Sequence, residues 1–129
     1  MKLDFIVLAN QYSIYKFAKD AVLPDWIYRS DFYSITKTLD EQSVVATQTD
    51  IATEDVSVSR DWRILKITGI LDFSLVGIIA YIAAILRERG VSIFTISTYD
   101  TDYILVKHED LYSSTEALRA KGNTVSIEN

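Results

Sequence analysis

The sequence predicts an α+β fold that uses one pattern of strands and helices twice. Two observations carry this prediction. A strand, acidic turn and strand pattern at residues 33–47 recurs at residues 92–107, about 60 residues later. Helical and strand-like periodicities also alternate along the chain between turn residues. The repeat extends outward, because residues 3–8 precede the first copy much as residues 62–67 precede the second.

The first half predicts a strand, a helix and a hairpin. Residues 3–8 form a short apolar strand, and residues 12–19 have apolar side chains at helical spacing. Residues 21–30 contain the only proline and predict a loop. Residues 32–38 and 43–47 are rich in β-branched and aromatic side chains around a polar turn, which predicts a hairpin.

The acidic, Ser/Thr-rich stretch from residue 49 to residue 60 predicts the boundary between two halves. We expect an N-terminal half at residues 1–60 and a C-terminal half at residues 61–129. Units of about 60 residues are marginally stable alone, so the halves are expected to fold together.

The second half begins with an alternating strand at residues 62–68. The longest helix is expected at residues 74–89, with Asp72 or Ser74 as its N-cap and Gly90 at its C-terminal end.

A second hairpin is expected from residues 91–98 and 102–107. A helix at residues 109–121 follows, and residues 124–127 form the last strand. The expected buried face of this helix consists of Leu111, Tyr112, Ala117 and Leu118. The order β, α, β, β, α, β is that of a ferredoxin-like unit, an antiparallel sheet with helices on one face.

Composition narrows the range of partners. The net charge of -5 and the absence of a basic stripe argue against nucleic acid. The apolar segment at residues 73–86 is too short to span a bilayer, so no membrane partner is expected. The lack of cysteine excludes disulfides and thiolate sites and fits a cytoplasmic location. No cofactor motif is present, and we expect none to bind.

Strand residues 104–106 are apolar on both sides, as are Ile93 and Phe94. Apolar side chains on a helix-free sheet face mark an interface. We therefore expect a homo-oligomer, at least a dimer.

Three segments of the second half carry a family resemblance: residues 71–79, 89–94 and 97–106. They resemble ACT domains, in particular those of tandem, aspartate-kinase-like ACT proteins and of the cytosolic arginine sensor of animals. The resemblance implies a regulatory, ferredoxin-like module that binds an amino acid between ACT units. It places the ligand-holding aspartate at Asp102. Leu75 stands where the arginine sensor has a glutamate, which argues against arginine as the ligand.

The first candidate site is the strand-to-helix turn. The N–H groups and positive dipole of a helix N-terminus suit an α-carboxylate, and Gly77 permits close approach. From the residues alone, helix capping is the simpler interpretation; the resemblance favours a ligand. The expected ligand-binding residues here are Asp72, Phe73, Ser74, Leu75, Val76, Gly77 and Ile78.

The second candidate site is the hairpin turn formed by Thr98, Tyr99, Asp100, Thr101 and Asp102. Its carboxylates could hold an ammonium or guanidinium group, with the threonine hydroxyls ordering the site. A polar turn with only local hydrogen bonds is the alternative. A divalent-metal site is a third, although this turn supplies few oxygen ligands.

These features favour a non-catalytic, amino-acid-binding regulatory module. His108 lacks the context of a catalytic triad and is expected at the surface at a strand end. Two alternatives remain open: a structural protein that assembles without a ligand, and a small enzyme that uses Asp100 and Asp102.

Overall fold

A computed structural model describes residues 1–50, 55–68 and 77–128 of the chain. It contains two compact units. The split unit consists of Met1–Ala9 and Arg63–Asn129, and the inserted unit consists of Asn10–Trp62. The chain enters and leaves the inserted unit once, so this unit interrupts the sequence of the split unit.

The split unit contains strands in the order β6-β7-β5-β1-β8. Strand β1 pairs antiparallel with β5 and parallel with β8, while β6 and β7 form an antiparallel hairpin. Two ten-residue helices, α1 and α2, join the strands of this unit. The bounds are β1 Asp4–Val7, β5 Ser57–Ile67, α1 Ile78–Arg87, β6 Ile93–Ser97, β7 Asp102–Lys107, α2 Leu111–Ala120 and β8 Thr124–Ile127.

The core of the split unit lies on one face of its sheet. Every second residue of a strand points to the same face, and the buried residues of four strands follow this spacing. Both helices pack there, which confirms the prediction of helices on one face. The strand and helix residues of this core are Phe5, Val7, Leu65, Ile67, Ile78, Ile82, Ile85, Leu86, Ile104, Val106, Ala117, Leu118 and Val125.

Helix α1 ends in a Schellman motif. The N–H of Val91 donates to the carbonyl of Leu86 at 3.1 Å, and the N–H of Gly90 donates to that of Arg87 at 2.9 Å. Gly90 has φ 68°, a left-handed conformation that a residue with a Cβ adopts at a cost. Helix α2 ends in the same way at Gly122, whose φ is 92°.

The inserted unit has the strand order β3-β4-β2-β5. Its strands are β2 Tyr12–Phe17, β3 Ser34–Lys37, β4 Gln42–Thr47 and the first part of β5. A 3-10 helix, Asp25–Arg29, stands where the split unit has α1. The core of the inserted unit consists of Tyr15, Phe17, Ile27, Val44 and Ala46.

The predicted repeat is present in the two hairpins. Lys37 pairs with Gln42 in β3 and β4, and Ser97 pairs with Asp102 in β6 and β7. Adding 60 to the first pair of numbers gives the second pair, and the pairs further along each hairpin keep this offset. The same turn therefore closes both hairpins in the same register.

The prediction of a helix at residues 12–19 is wrong, because residues 12–17 form β2. Tyr15 and Phe17 are buried and Lys16 is exposed, which is the period of a strand. All six residues of β2 pair with β4, and tyrosine, isoleucine and phenylalanine favour strands. Sheet pairing thus outweighs the weak helical spacing of Ile14, Phe17 and Ala18.

The division into halves at residues 1–60 and 61–129 differs from the observed units at the N-terminus. Residues 1–9 belong to the split unit, since β1 lies between β5 and β8. The first strand of the inserted unit is β2. Only the second boundary, between Trp62 and Arg63, lies close to the expected position.

Two details of the helices also differ from expectation. Helix α1 begins at Ile78 with Gly77 as its N-cap, and it is no longer than α2. The expected caps, Asp72 and Ser74, lie outside the described residues. Tyr112 lies on the exposed face of α2. Its hydroxyl donates to Glu116 Oε1 at 3.1 Å, and this hydrogen bond and the adjacent charge raise the pKa of Tyr112.

Gly90→Ala should lower the free energy of unfolding by about 1–2 kcal/mol, the cost of a left-handed conformation for a residue with a Cβ. A Cβ at Gly90 would meet no atom within 4 Å, so the loss is conformational rather than steric. Urea denaturation measures it. Glu88→Ala, at an exposed position with right-handed helical geometry, is the control and should change stability little. Equal stability of Gly90→Ala and wild type would contradict this account.

Candidate functional site

The turn between β6 and β7 is a closed hydrogen-bonded loop. The N–H of Thr98 donates to the carbonyl of Thr101 at 2.8 Å, and the Thr98 hydroxyl donates to the same carbonyl at 3.1 Å. The N–H of Thr101 in turn donates to Thr98 Oγ1 at 3.3 Å. The backbone of this turn is therefore fixed without a ligand, as the polar-turn interpretation requires.

Thr101 attaches the turn to the end of β5. Its side chain is 5% exposed, and its Oγ1 donates to the carbonyl of Ile67 at 2.8 Å. Thr68, which follows Ile67 in the chain, donates from its N–H to the carbonyl of Asp4 at 2.9 Å. The turn thus lies beside the point where the chain leaves β5 toward α1. Sequence analysis placed Thr101 in the site but did not identify this structural bond.

The two carboxylates of the turn have different surroundings. Asp102 is partly buried, and one carboxylate oxygen accepts a hydrogen bond from Ser97 Oγ at 2.5 Å. Asp100 is exposed, and so is the ring of Tyr99, at 83%. Asp102 is therefore the carboxylate whose position the fold restrains.

The start of α1 supplies the second part of the candidate site. Gly77 has φ 82°, and its carbonyl accepts the N–H of Tyr81 at 2.8 Å. Within residues 1–50, 55–68 and 77–128, no side chain caps the helix at this position. Ile78 is buried in the core of the split unit, so its side chain is committed to packing. The other residues expected here, Asp72, Phe73, Ser74, Leu75 and Val76, lie outside the described residues.

The equivalent turn of the inserted unit is built in the same way but is used differently. Thr38 occupies the position of Thr98, and its Oγ1 accepts the N–H groups of Asp40 and Glu41, both at 3.1 Å. Gln42 occupies the position of Asp102. Its Nε2 donates to the carbonyls of Ala18 and Ala21 at 3.0 and 2.8 Å, and its side chain is 6% exposed.

The Gln42 amide therefore bonds to the segment that follows β2. In the order of elements, this segment of the inserted unit corresponds to the one that follows β5 in the split unit. Sequence analysis did not single out Gln42. The signal that could have found it is the 60-residue offset, because the acidic residue of one turn aligns with an amide in the other.

Other kinds of site were also sought among the described residues. In those ranges no three His, Asp or Glu side chains are grouped to hold a metal ion. His108 is exposed directly after β7, as expected, and its Nδ1 lies 3.4 Å from Arg63 Nη1. None of the helices described has the length and apolar character needed to cross a membrane.

Comparison with known proteins adds a family and a set of structural relatives. The family model of the ACT domain matches residues 57–120, and a second model, of an N-terminal domain, matches residues 10–54. A crystal structure of a protein from Agrobacterium tumefaciens is 30% identical, with a TM-score of 0.89; the alignment covers 100% of this chain and 96% of that one.

More distant structures share the fold. A Vibrio cholerae protein of unknown function is 19% identical over 92% of this chain and 89% of that one, with a TM-score of 0.70. The regulatory subunit of aspartate kinase from Thermus thermophilus, in its ligand-free form, is 12% identical over 90% and 95% of the two chains, with a TM-score of 0.62.

Thr101→Val should lower the free energy of unfolding by about 1–3 kcal/mol, because the buried carbonyl of Ile67 would lose its donor. Thermal or urea denaturation measures the loss. Asp100→Asn, an exposed change in the same turn, should leave stability within about 0.5 kcal/mol. If both variants were as stable as wild type, Thr101 would not attach the turn to β5 as the structure indicates.

Proposed function

This chain belongs to the ACT-domain family, and from that premise we propose that it is a non-catalytic regulatory module that binds a small amino acid. The match to the ACT model and the likeness to aspartate kinase regulatory domains support a regulatory role. The amino-acid ligand, a homodimeric state and a cytoplasmic location are parts of the proposal.

The observation that carries the proposal is the position of Asp102. The turn that holds it is rigid and is attached to the last residue of β5, from which residues 69–76 lead to the start of α1. A carboxylate there can take the ammonium or other cationic group of a ligand. N–H groups near the start of α1 can take the ligand carboxylate, because a helix N-terminus favours negative charge.

We propose one such site for each chain. The split unit offers a carboxylate at the restrained end of its hairpin turn. The inserted unit has the Gln42 amide at that position, bonded to two backbone carbonyls of its own unit. A ligand there would have to displace both hydrogen bonds, and the partly buried carbonyl of Ala21 would lose the Gln42 donor.

Regulation requires that the ligand bind one arrangement of the protein better than another. A change in subunit packing is the output we propose. Residues 104–106 were expected to form part of the interface between copies of the chain. They do not provide an exposed surface, because Ile104, Leu105 and Val106 are all buried within a single chain. Edge strand β6 is the better candidate, since its Phe94 and Ile96 remain partly exposed.

The same edge strand favours a second candidate function, a structural protein that assembles without any small-molecule ligand. β6 pairs only with β7 among the strands described, and an edge with apolar side chains invites pairing with another chain. The two candidates differ in one property: only the first requires a ligand that stabilises the protein.

A thermal-shift screen of the twenty amino acids tests the proposed function. The ligand should stabilise the protein by about 2.7 kcal/mol at a hundredfold excess over Kd. Asp102→Asn should weaken its binding by about 1.5–3 kcal/mol, the range for a hydrogen bond to a charged group, with little loss of unliganded stability. Calorimetry should give one ligand per chain.

Asp40→Asn is the matched control, because it removes a carboxylate from the equivalent turn of the inserted unit. It should leave ligand affinity unchanged. Failure of every amino acid to stabilise the protein would favour the structural alternative. Unchanged affinity in Asp102→Asn would remove Asp102 from the site.

Sedimentation tests self-association. Wild-type protein at about 100 µM should sediment as a dimer, whereas Ile96→Lys should shift it toward monomer, because a charge on an edge strand blocks pairing. Tyr112→Lys, on the exposed face of α2, is the control and should stay dimeric. A monomeric wild type at that concentration would contradict the proposed interface.

A further inference from the structure

One buried amide side chain links three elements of the split unit. Asn123 is 4% exposed and lies directly after the left-handed Gly122 that follows α2. Its Oδ1 accepts the N–H of Leu3 at 2.8 Å, and its Nδ2 donates to the Tyr81 hydroxyl at 2.8 Å and to the Leu118 carbonyl at 3.0 Å. Asn123 therefore connects the residue before β1, the first turn of α1 and the last turn of α2.

The three partners fix the orientation of this amide. A backbone N–H can only donate, so Oδ1 has to face Leu3, and Nδ2 then faces the hydroxyl and the carbonyl. An ionised aspartate of the same size would supply no donor, and a leucine would supply neither donor nor acceptor. An amide is therefore the group of this size that satisfies all three partners.

Tyr81 carries the link to the start of α1. Its N–H donates to the Gly77 carbonyl at 2.8 Å, which closes the first turn of the helix. By helix geometry the N–H groups of residues 78–80 have no partner within α1. These are the groups to which the proposed function assigns the ligand carboxylate. A hydrogen bond that holds the Tyr81 side chain therefore restrains the direction of these N–H groups.

A series of hydrogen bonds also joins Asn123 to the turn of residues 98–102. That turn is attached to the end of β5, and the residue after β5 donates to the carbonyl of Asp4. Thr124 bonds to both Asp4 and Leu3: its Oγ1 donates to Asp4 Oδ1 at 2.5 Å, and its N–H donates to the Leu3 carbonyl at 3.1 Å. The N–H of Leu3 then donates to Asn123. The two parts of the proposed site are thus connected within the split unit.

We infer that Asn123 is a positioning residue of the proposed amino-acid site. It acts through the Tyr81 hydroxyl and fixes the start of α1 relative to the turn that holds Asp102. The partners of the ligand carboxylate and of its ammonium group are then kept at one separation. Such preorganisation raises affinity, because binding does not have to order the site. The inference rests on the proposed function, since it assumes a ligand that bridges the two parts.

Tyr81→Phe tests this inference, because it removes only the hydroxyl and leaves Asn123 bonded to Leu3 and Leu118. Calorimetry uses the amino acid that most stabilises the wild type in the thermal-shift screen. Its Kd should rise about two- to tenfold, as expected for the loss of one neutral hydrogen bond. Gly90→Ala is the matched control, since it destabilises the other end of α1 and leaves the Tyr81 bond intact. Its Kd should equal that of the wild type.

A distance measurement tests the same bond without a ligand. The sequence contains no cysteine, so Ala84→Cys on α1 and Asp100→Cys in the turn, both at exposed positions, provide a unique pair for spin labels. Electron paramagnetic resonance of the ligand-free protein measures the distribution of distances between the labels. Adding Tyr81→Phe should broaden this distribution, whereas adding Gly90→Ala should not change it.

These outcomes separate the inference from the proposed function. If none of the twenty amino acids stabilises the wild type, the proposed function fails, and the distance distribution alone decides whether Asn123 fixes the start of α1. Asp102→Asn should raise Kd without broadening the distribution. The inference is overturned if Tyr81→Phe leaves the distribution unchanged, or if it lowers the melting temperature without changing Kd; Asn123 would then have a structural role only.

Discussion

The Gln48 side chain holds the point at which β5 changes partners. β5 pairs with β2 in the inserted unit and with β1 in the split unit, and the irregularity falls at Asp61, a non-glycine residue in a left-handed conformation. Such a conformation costs free energy unless neighbouring groups restrain it. Two hydrogen bonds supply the restraint, because the N–H of Asp61 donates to Gln48 Oε1 and Gln48 Nε2 donates to Asp61 Oδ1. One side-chain amide thus lets a single strand belong to two units.

The two hairpins show how one backbone can serve different purposes. Their turns share a threonine whose hydroxyl bonds within the loop, and their strands share a register at a 60-residue offset. What differs is the residue after the turn. The Gln42 amide can donate to backbone carbonyls and so close its own unit, whereas the Asp102 carboxylate can only accept, here from the Ser97 hydroxyl of the paired strand. The difference between Gln42 and Asp102 therefore separates a structural turn from a candidate binding turn.

Much of the fold could be predicted from the sequence, because in several elements the periodicity of the side chains and the residues that end the element indicate the same structure. Both hairpins, α2 and β8 have strand or helix periodicity together with a turn or glycine that ends them. The region around β2 could not be predicted in the same way, since Ile14 and Phe17 fit either period and only pairing with β4 decides between them. The position of β1 depends on contacts about 120 residues apart in the chain, such as that of Asp4 with Thr124, which no local pattern encodes. The candidate site was predictable in its residue types but not in its bonds, because the Thr101 to Ile67 contact is also non-local.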